Sequence, residues 1–581
     1  MNVNASSLSP DGIDRYVWET RYRWHDARGN TEHSAEQTWQ RVAHAVAEAE
    51  APDRRPQVAH AFHDLLADMR FLPGGRILAN AGIDGDHTLF NCFVMGTLAD
   101  DADIITTALR EAASTLHFGG GIGVDFSPLG SVQQGTQPAG THAPGPLRLI
   151  TLFDTLCANT LTGHLRPGAL MATLRCDHPD ILQFADAKRE RHRLTASNLS
   201  VLISDAFMQA VRLDAPWPLV DDGGRPVTDT LMARALWEHI LRSAYDTGEP
   251  GVLFIDRINA LDNLGYREQV HATNPCGEIP LPAYGACNLG SLNLTRFVRR
   301  PFADNAEWDI DGLIAATTLA VRFLDDVIDV SRFPLPRQAE QARGSRRIGL
   351  GITGLADSLI MLGLHYASRR ARTAAVTALR TICHAAYRAS CALAVEKGAF
   401  PWFDADALLA RPFAQTLPAT LRHRIARSGL RNSHLIAIAP AGSISLLAGA
   451  VSSGIEPLAA IEQAFRVGGE RGDMRIFDVE AYAKRVWVRR CENRPLPATF
   501  VTAAALDAED QLLMQSELQR YVDNAISKTV NLPTATPFAQ FRDVYDDAYR
   551  LGLKGCTVYR SAANTDRTCS TADPTTAGAC D

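Results

Sequence analysis

Between Phe71 and Arg560 short apolar runs alternate with longer amphipathic stretches, and no linker interrupts them. This texture constrains the fold more than any single motif. Residues 91–95, 200–204, 251–255 and 434–439 read as strands, and residues 313–330 read as a helix. Strands interleaved with helices indicate an α/β architecture. A length of 581 residues would alone suggest about three to five domains. The unbroken alternation instead predicts one large catalytic domain over residues 71–560.

Two flanking regions differ. Up to about residue 70 the apolar positions recur at helical spacing, first Val42, Val46 and Ala49, then Leu65, Leu66 and Met69. A helical N-terminal region over residues 1–70 is expected. Residues 561–581 contain no Leu, Ile, Val, Phe, Met, Trp or Tyr. Such a segment cannot offset its ordering entropy by burial, so a flexible tail is expected. It nevertheless carries Cys569 and Cys580, which make better sense as a moving thiol pair than as packing residues. Inside the domain, Pro73-Gly74-Gly75 marks a turn. Asp100, Asp101 and Asp103 precede Ile104, Ile105 and Leu109, as acids do at a helix N-terminus.

With 58 Lys and Arg against 65 Asp and Glu, the formal net charge is −7. That argues against a nucleic-acid coat or a polybasic membrane binder. No apolar run reaches membrane-spanning length, and the first 16 residues lack the pattern of a signal peptide. A cytoplasmic location is expected. The 11 cysteines are then better read as core residues, ligands or catalysts than as structural disulfides. Cys157, Cys176, Cys383 and Cys391 lie in apolar contexts and read as core. Cys491 and Cys556 carry no assignment. Cys92, Cys276, Cys287, Cys569 and Cys580 require one.

Asn274-Pro275-Cys276-Gly277-Glu278 is the most informative stretch. If it is extended, residues at i, i+2 and i+4 share a side, so an amide, a thiol and a carboxyl would face one pocket. The thiol offers covalent or radical chemistry and the carboxyl offers proton transfer. An ordinary turn with a buried cysteine fits the same spacing. Cys287 follows in CNLGSLNL. Its spacing from Cys276 is not that of a zinc knuckle, and no metal site made by the protein itself is expected. The segment Pro440-Ala441-Gly442-Ser443-Ile444-Ser445 offers small residues, backbone N–H groups and hydroxyls of the kind that cradle phosphates.

Residues 274–294 resemble the active-site segment of ribonucleotide reductase catalytic chains. The resemblance continues from about residue 71 to 560, through LFNCF at 89–93, GGGIGVDFSP at 119–128, HPDI at 178–181, NLSV at 198–201 and RIGLGITG at 347–354. It ends with PAGSIS at 440–445, SSGIEP at 452–457, SKTVNLP at 527–533 and GCTVYR at 555–560. The fold it implies is a ten-stranded α/β barrel with an active-site finger loop. By the same resemblance Cys276 becomes a thiyl radical that abstracts the ribose 3′-hydrogen. Glu278 takes the 3′-OH proton, and Asn274 hydrogen-bonds the substrate. Cys92 and Cys287 form the reducing dithiol, restored by thiol–disulfide exchange through Cys569 and Cys580. Pro275 and Gly277 of the same segment are also expected to bind the substrate. Residues Pro440, Ala441, Gly442, Ser443 and Ile444 hold the substrate's phosphates, with Asn91 and Gly121 on its ribose or base side.

The family has three radical sources. The oxygen-dependent type uses an adjacent tyrosine pair near the C-terminus, but none of the 12 tyrosines is adjacent to another and the matching place holds Tyr559 alone. A glycyl-radical segment is also missing from the sequence. The resemblance therefore points to the adenosylcobalamin-dependent type, which residues 16–23 (YVWETRYR) also resemble. The expected activity is reduction of ribonucleotides, as diphosphates, to 2′-deoxyribonucleotides. An oxygen-dependent large subunit or a non-catalytic nucleotide-binding paralogue is the alternative. A thioredoxin- or glutaredoxin-type reductant and a deoxynucleotide or ATP effector near Asp100 are the expected partners. The chain is expected to act as a monomer or homodimer.

Overall fold

The computed structural model describes residues 8–9, 11–26, 28–131, 145–160, 168–190, 192–221, 223–468, 474–491 and 494–560. The apolar runs assemble into one ten-stranded sheet. In chain order the strands are β1 (Phe71–Pro73), β2 (Cys92–Val94), β3 (Gly121–Asp125), β4 (Leu170–Arg175) and β5 (Ser197–Ile203). They continue with β6 (Gly251–Phe254), β7 (Ala286–Asn293), β8 (Ile348–Thr353), β9 (Thr529–Leu532) and β10 (Gly555–Arg560). Most are buried on both faces, as expected for parallel strands covered by helices.

Strands β2 to β6 run parallel in the order β2-β3-β4-β5-β6. β10 turns antiparallel to β6 and is parallel to β9. On the other side β7 is antiparallel to β2 and parallel to β8, while β1 lies beside β7. The expected strand over 434–439 forms only single bridges, Ile436 to Leu350 of β8 and Ile438 to Ile526 just ahead of β9. Asp523 explains the interruption: its carboxylate accepts the N–H groups of Leu435 and Ile436 at 2.8 Å each. A side chain therefore takes over backbone donors at this place. The bridged segment still completes a hydrogen-bonded circuit, so the ends of the sheet meet.

A hairpin, Ala272–Thr273 paired with Pro280–Leu281, runs into the centre of this circuit. Ile279, Leu281 and Ala272 pack there with Cys92, Val94, Cys287, Leu289, Ala437 and Ala439. Room for it comes from glycine. A Cβ on Gly123 of β3 would lie 2.0 Å from the Thr273 carbonyl oxygen, and one on Gly349 of β8 would meet Leu289 of β7 at 2.5 Å and Ile279 of the finger at 3.2 Å. The glycines of GGGIGVD and RIGLG thus leave space for the finger.

Helices cover the outside. Asp101 caps Ala102–His117 by accepting the N–H groups of Asp103 and Ile104, as the acidic cluster predicted. The long helices Ile310–Val330 and Arg369–Lys397 pack against each other. The N-terminal helices Ala35–Ala47 and Arg55–Ala67 join the same core, where Phe323 meets Phe62 and Phe71 edge-on at centroid distances of 5.0 and 5.3 Å. Among the described residues no helix is long and apolar enough to cross a membrane. Gly123→Ala should destabilise the fold by about 1–3 kcal/mol, measured by chemical denaturation; an unchanged midpoint would contradict a finger packed against β3.

Candidate active site

The fingertip is a turn, not the extended strand its spacing allowed. Gly277 N–H donates to the Asn274 carbonyl at 3.1 Å, and Gly277 adopts φ +84°, a conformation open mainly to glycine. Pro275 and Gly277 therefore fold residues 274 and 278 back toward each other. Asn274 and Glu278 converge by this turn rather than by strand alternation.

Asn274 is clamped. Its Oδ1 accepts the Ile279 N–H at 3.0 Å and the Thr273 hydroxyl at 3.1 Å. Those donors fix the amide's orientation, leaving Nδ2 to donate to Glu278 Oε1 at 2.8 Å and to Cys92 Sγ at 3.2 Å. Cys92 Sγ lies 3.9 Å from the same carboxyl oxygen. Asn274, Glu278, Cys92 and Cys287 are all buried, whereas Cys276 is half-exposed at the tip. Asn198, exposed at the start of β5, donates to the Pro275 carbonyl at 2.9 Å and steadies the turn.

Cys92 of β2 stands directly opposite Cys287 of β7 in the antiparallel register. Such pairs have Cα atoms about 4.5–5.5 Å apart, within the roughly 4.4–6.8 Å that a disulfide spans. Both are thiols here. Burial, with Glu278 and Asp523 adding to it, raises the Cys287 thiol well above its ordinary range against the opposing pull of Arg347. The remaining buried cysteines behave as core: burial pushes Cys157, Cys176 and Cys556 up to about 12 and Cys391 to about 11. Thiols held so high are poor nucleophiles.

Asn91 lies beside this pair, buried, with its carbonyl accepting the Gly121 N–H at 2.9 Å. Gly121 in turn is the β3 partner of Cys92. The Pro440–Ile444 segment follows the Ile438 bridge. Ala441, Ser443 and Ile444 are buried, Pro440 and Gly442 half-exposed. The Ala441 N–H is held by Ser453 Oγ at 2.8 Å, and a short helix begins at Ser443. Ser443 Oγ shares a hydrogen bond with the Tyr22 hydroxyl, bringing the N-terminal region onto this loop. Asp100 is exposed and accepts the Gly130 N–H at 2.6 Å, away from the finger contacts. Cys569 and Cys580 lie outside the described residues.

Several other motifs serve the scaffold. Glu456 of SSGIEP pairs with Lys528 of SKTVNLP at 2.6 Å. His178 and Asp180 of HPDI tie β4 to the loop after β3, through Leu129 and Ser131. Sequence reasoning missed a buried charge network beneath the finger, formed by Arg347, Glu268, Asp262 and His434. Arg347 opens the RIGLG motif, which gave a signal. Asp262 and Glu268 sit in an ordinary helix-to-finger connection, which gave none.

The sequence matches the family described as "Ribonucleotide reductase, barrel domain" over residues 90–559, and "Ribonucleotide reductase, all-alpha domain" over residues 9–86. The chain belongs to the ribonucleotide reductase family. Among its relatives, the vitamin B12-dependent ribonucleoside-diphosphate reductase of Mycobacterium tuberculosis (strain CDC 1551 / Oshkosh) is 37% identical, over 96% of this chain and 80% of the relative. The protein of the same name from Thermoplasma acidophilum is 32% identical over 87% of this chain and 65% of the relative. The ribonucleoside-diphosphate reductase subunit alpha of Chlamydia pneumoniae is 26% identical over 91% of this chain and 57% of the relative. Asn274→Ala would strip Ile279 and Glu278 of partners inside this reductase-family barrel. A loss of about 1–3 kcal/mol is expected, measured by denaturant titration; a stability equal to that of the native chain would contradict the clamp.

Proposed function

We propose that this chain reduces ribonucleoside diphosphates to 2′-deoxyribonucleotides by thiyl-radical chemistry with adenosylcobalamin as its cofactor. The contact set at the fingertip carries the reading: one amide, Asn274, joins the Glu278 carboxyl to Cys92, and Cys92 faces Cys287 across a ladder. A radical reduction needs a hydrogen-abstracting thiol, a proton acceptor and two electrons. Cys276, Glu278 and the Cys92–Cys287 dithiol supply these within a few residues of chain or one ladder step.

In this reading Cys276 carries the radical and abstracts the ribose 3′-hydrogen. Glu278 accepts the 3′-OH proton, its oxygen oriented by the Asn274 amide. The 2′-OH leaves as water, Cys92 and Cys287 give up two electrons and two hydrogens, and they end as a disulfide. Hydrogen then returns to C3′ from Cys276, and Glu278 gives the proton back to the 3′ oxygen. Asn91 and Gly121 line the ribose side, and residues 440–444 bind the phosphates through backbone N–H groups and the Ser443 hydroxyl.

The residues fit the cofactor in one respect that the structure itself supplies. Cys276 is half-exposed and Asn198 exposed beside it, so the fingertip opens to a face on which a large group can seat. When bound, adenosylcobalamin supplies the initiating radical through homolysis of its cobalt–carbon bond. A tyrosine relay from a second subunit is less favoured: Tyr559 on β10 has Asn531, not a second tyrosine, as its β9 partner, and the relatives at 32–37% identity are named vitamin B12-dependent. A cytoplasmic location, a nucleotide effector near Asp100, and regeneration of the dithiol by a thioredoxin- or glutaredoxin-type protein through Cys569 and Cys580 complete the proposal.

The test is turnover of each ribonucleoside diphosphate by the full chain with a small dithiol. Activity should require adenosylcobalamin and no second subunit, and Cys276→Ala should abolish it. Turnover without the cofactor, supported by a diiron subunit, would overturn the reading.

A further inference from the structure

Residues 16–23 have no part in the chemistry above, yet one of them reaches the loop assigned to the phosphates. The short helix Ile13–Val17 packs against the helix Ser443–Leu447 that follows that loop. The chain then opens into a wide turn over Trp18–Tyr22, closed by the Arg23 N–H on the Trp18 carbonyl at 2.9 Å. Such i→i+5 turns are rare and recur at functional sites. Trp18 and Tyr22 are both buried. The Trp18 indole N–H donates to Thr38 Oγ1 of the helix Ala35–Ala47 at 2.9 Å. The Tyr22 carbonyl accepts from Arg41 Nη2 of the same helix at 3.3 Å. That guanidinium also pairs with Glu32 at 2.8 Å and donates to the Ala81 carbonyl at 2.6 Å. The backbone of Tyr22 is thus anchored from behind, and its hydroxyl lies on Ser443 Oγ.

The loop is gripped from two sides. Ser453 Oγ holds the Ala441 N–H at 2.8 Å on one, and Tyr22 holds the Ser443 side chain on the other. Of the two serines in PAGSIS, Ser445 donates within the loop, to the Gly442 carbonyl at 2.8 Å. Ser443, 1% exposed, is the one that meets the N-terminal region. A phenol is a stronger acid than an aliphatic alcohol and therefore the better donor of this pair. With Tyr22 donating, the Ser443 oxygen accepts, and the serine hydrogen can be given to a phosphate oxygen when substrate arrives. Buried hydrogen bonds linked in such a chain polarise and strengthen one another.

We propose that Tyr22 is a positioning residue for phosphate recognition. Its hydroxyl fixes the Ser443 side chain, so that the serine hydroxyl and the N–H groups of the loop meet the substrate's phosphates together. The inference rests on the reading of residues 440–444 as the phosphate loop. Tyr22 acts through Ser443 and meets neither the ribose nor the reacting atoms. The N-terminal region is in this account part of the substrate site and not only a cover for the barrel. The contact joins residues 421 positions apart in the chain, so the loop is completed only when the N-terminal helices have docked.

The full chain, without cofactor, is titrated with labelled cytidine diphosphate by equilibrium dialysis. Tyr22→Phe, which removes one oxygen atom, should weaken binding about threefold to tenfold. Ser443→Ala should weaken it at least as much. Adding Tyr22→Phe to Ser443→Ala should cost nothing further, because the contact is already gone. Cytidine, which lacks the phosphates, should compete for the site with the same inhibition constant in the native and Tyr22→Phe chains. Native affinity for the diphosphate in Tyr22→Phe would overturn the proposal, as would fully additive losses in the double variant. A cytidine affinity that falls in step with that of the diphosphate would also overturn it, since that marks a general loosening of the site. Ser443→Ala binding the diphosphate as tightly as the native chain would overturn the phosphate-loop reading itself and this inference with it.

Discussion

Everything in this structure depends on a finger of chain being held inside a sheet that has curled around it. The hairpin 272–281 could not stand in water: its residues bury Ile279 and Leu281 against β2, β7 and the 434–439 segment. The sheet in turn leaves room at its centre, because β3 presents Gly123 where a Cβ would meet the Thr273 carbonyl of the finger. Finger and sheet are therefore complementary shapes, and each explains an otherwise odd feature of the other. Arg347 and its acidic partners lock the base of the finger, and the 274–277 turn shapes its tip.

Burial is what gives the site its chemistry. A buried amide, carboxyl and pair of thiols have few partners other than one another, so each hydrogen bond is strong and each unmet charge costly. Asn274 uses both of its polar ends, one to hold the turn and the other to join Glu278 to Cys92. Only Cys276 is brought toward solvent. That division, a buried amide, carboxyl and thiol pair behind one half-exposed sulfur, suits the radical reaction proposed for this chain.

Much of this was legible in the sequence. The α/β alternation, the helical N-terminal region and the acidic cap at Asp101 follow from periodicity and capping chemistry. The convergence of Asn274 and Glu278 was anticipated for the wrong reason: spacing allowed a strand, while Pro275 and Gly277 dictate a turn that reaches the same result. The pairing of Cys92 with Cys287 is a matter of register between strands almost 200 residues apart, which no local pattern encodes; only the family resemblance suggested it. The strand at 434–439 was readable as apolar, but not its capture by Asp523, a contact across the fold. The network of Arg347, Glu268, Asp262 and His434 was invisible for the same reason, since buried ion pairs look in sequence like any surface charges.

The central claim is that the buried pair opposite the fingertip is the source of the two reducing electrons. A single-turnover measurement tests it most directly. The prereduced chain carrying Cys569→Ser and Cys580→Ser, in which no tail thiol can refill the pair, is given adenosylcobalamin and a ribonucleoside diphosphate with no external thiol, and deoxynucleotide and disulfide are quantified together. The account predicts about one deoxynucleotide per chain, matched by a Cys92–Cys287 disulfide in the peptide map. Product formed while Cys92 and Cys287 remain thiols, and no other cysteine pair feeds them, would contradict it.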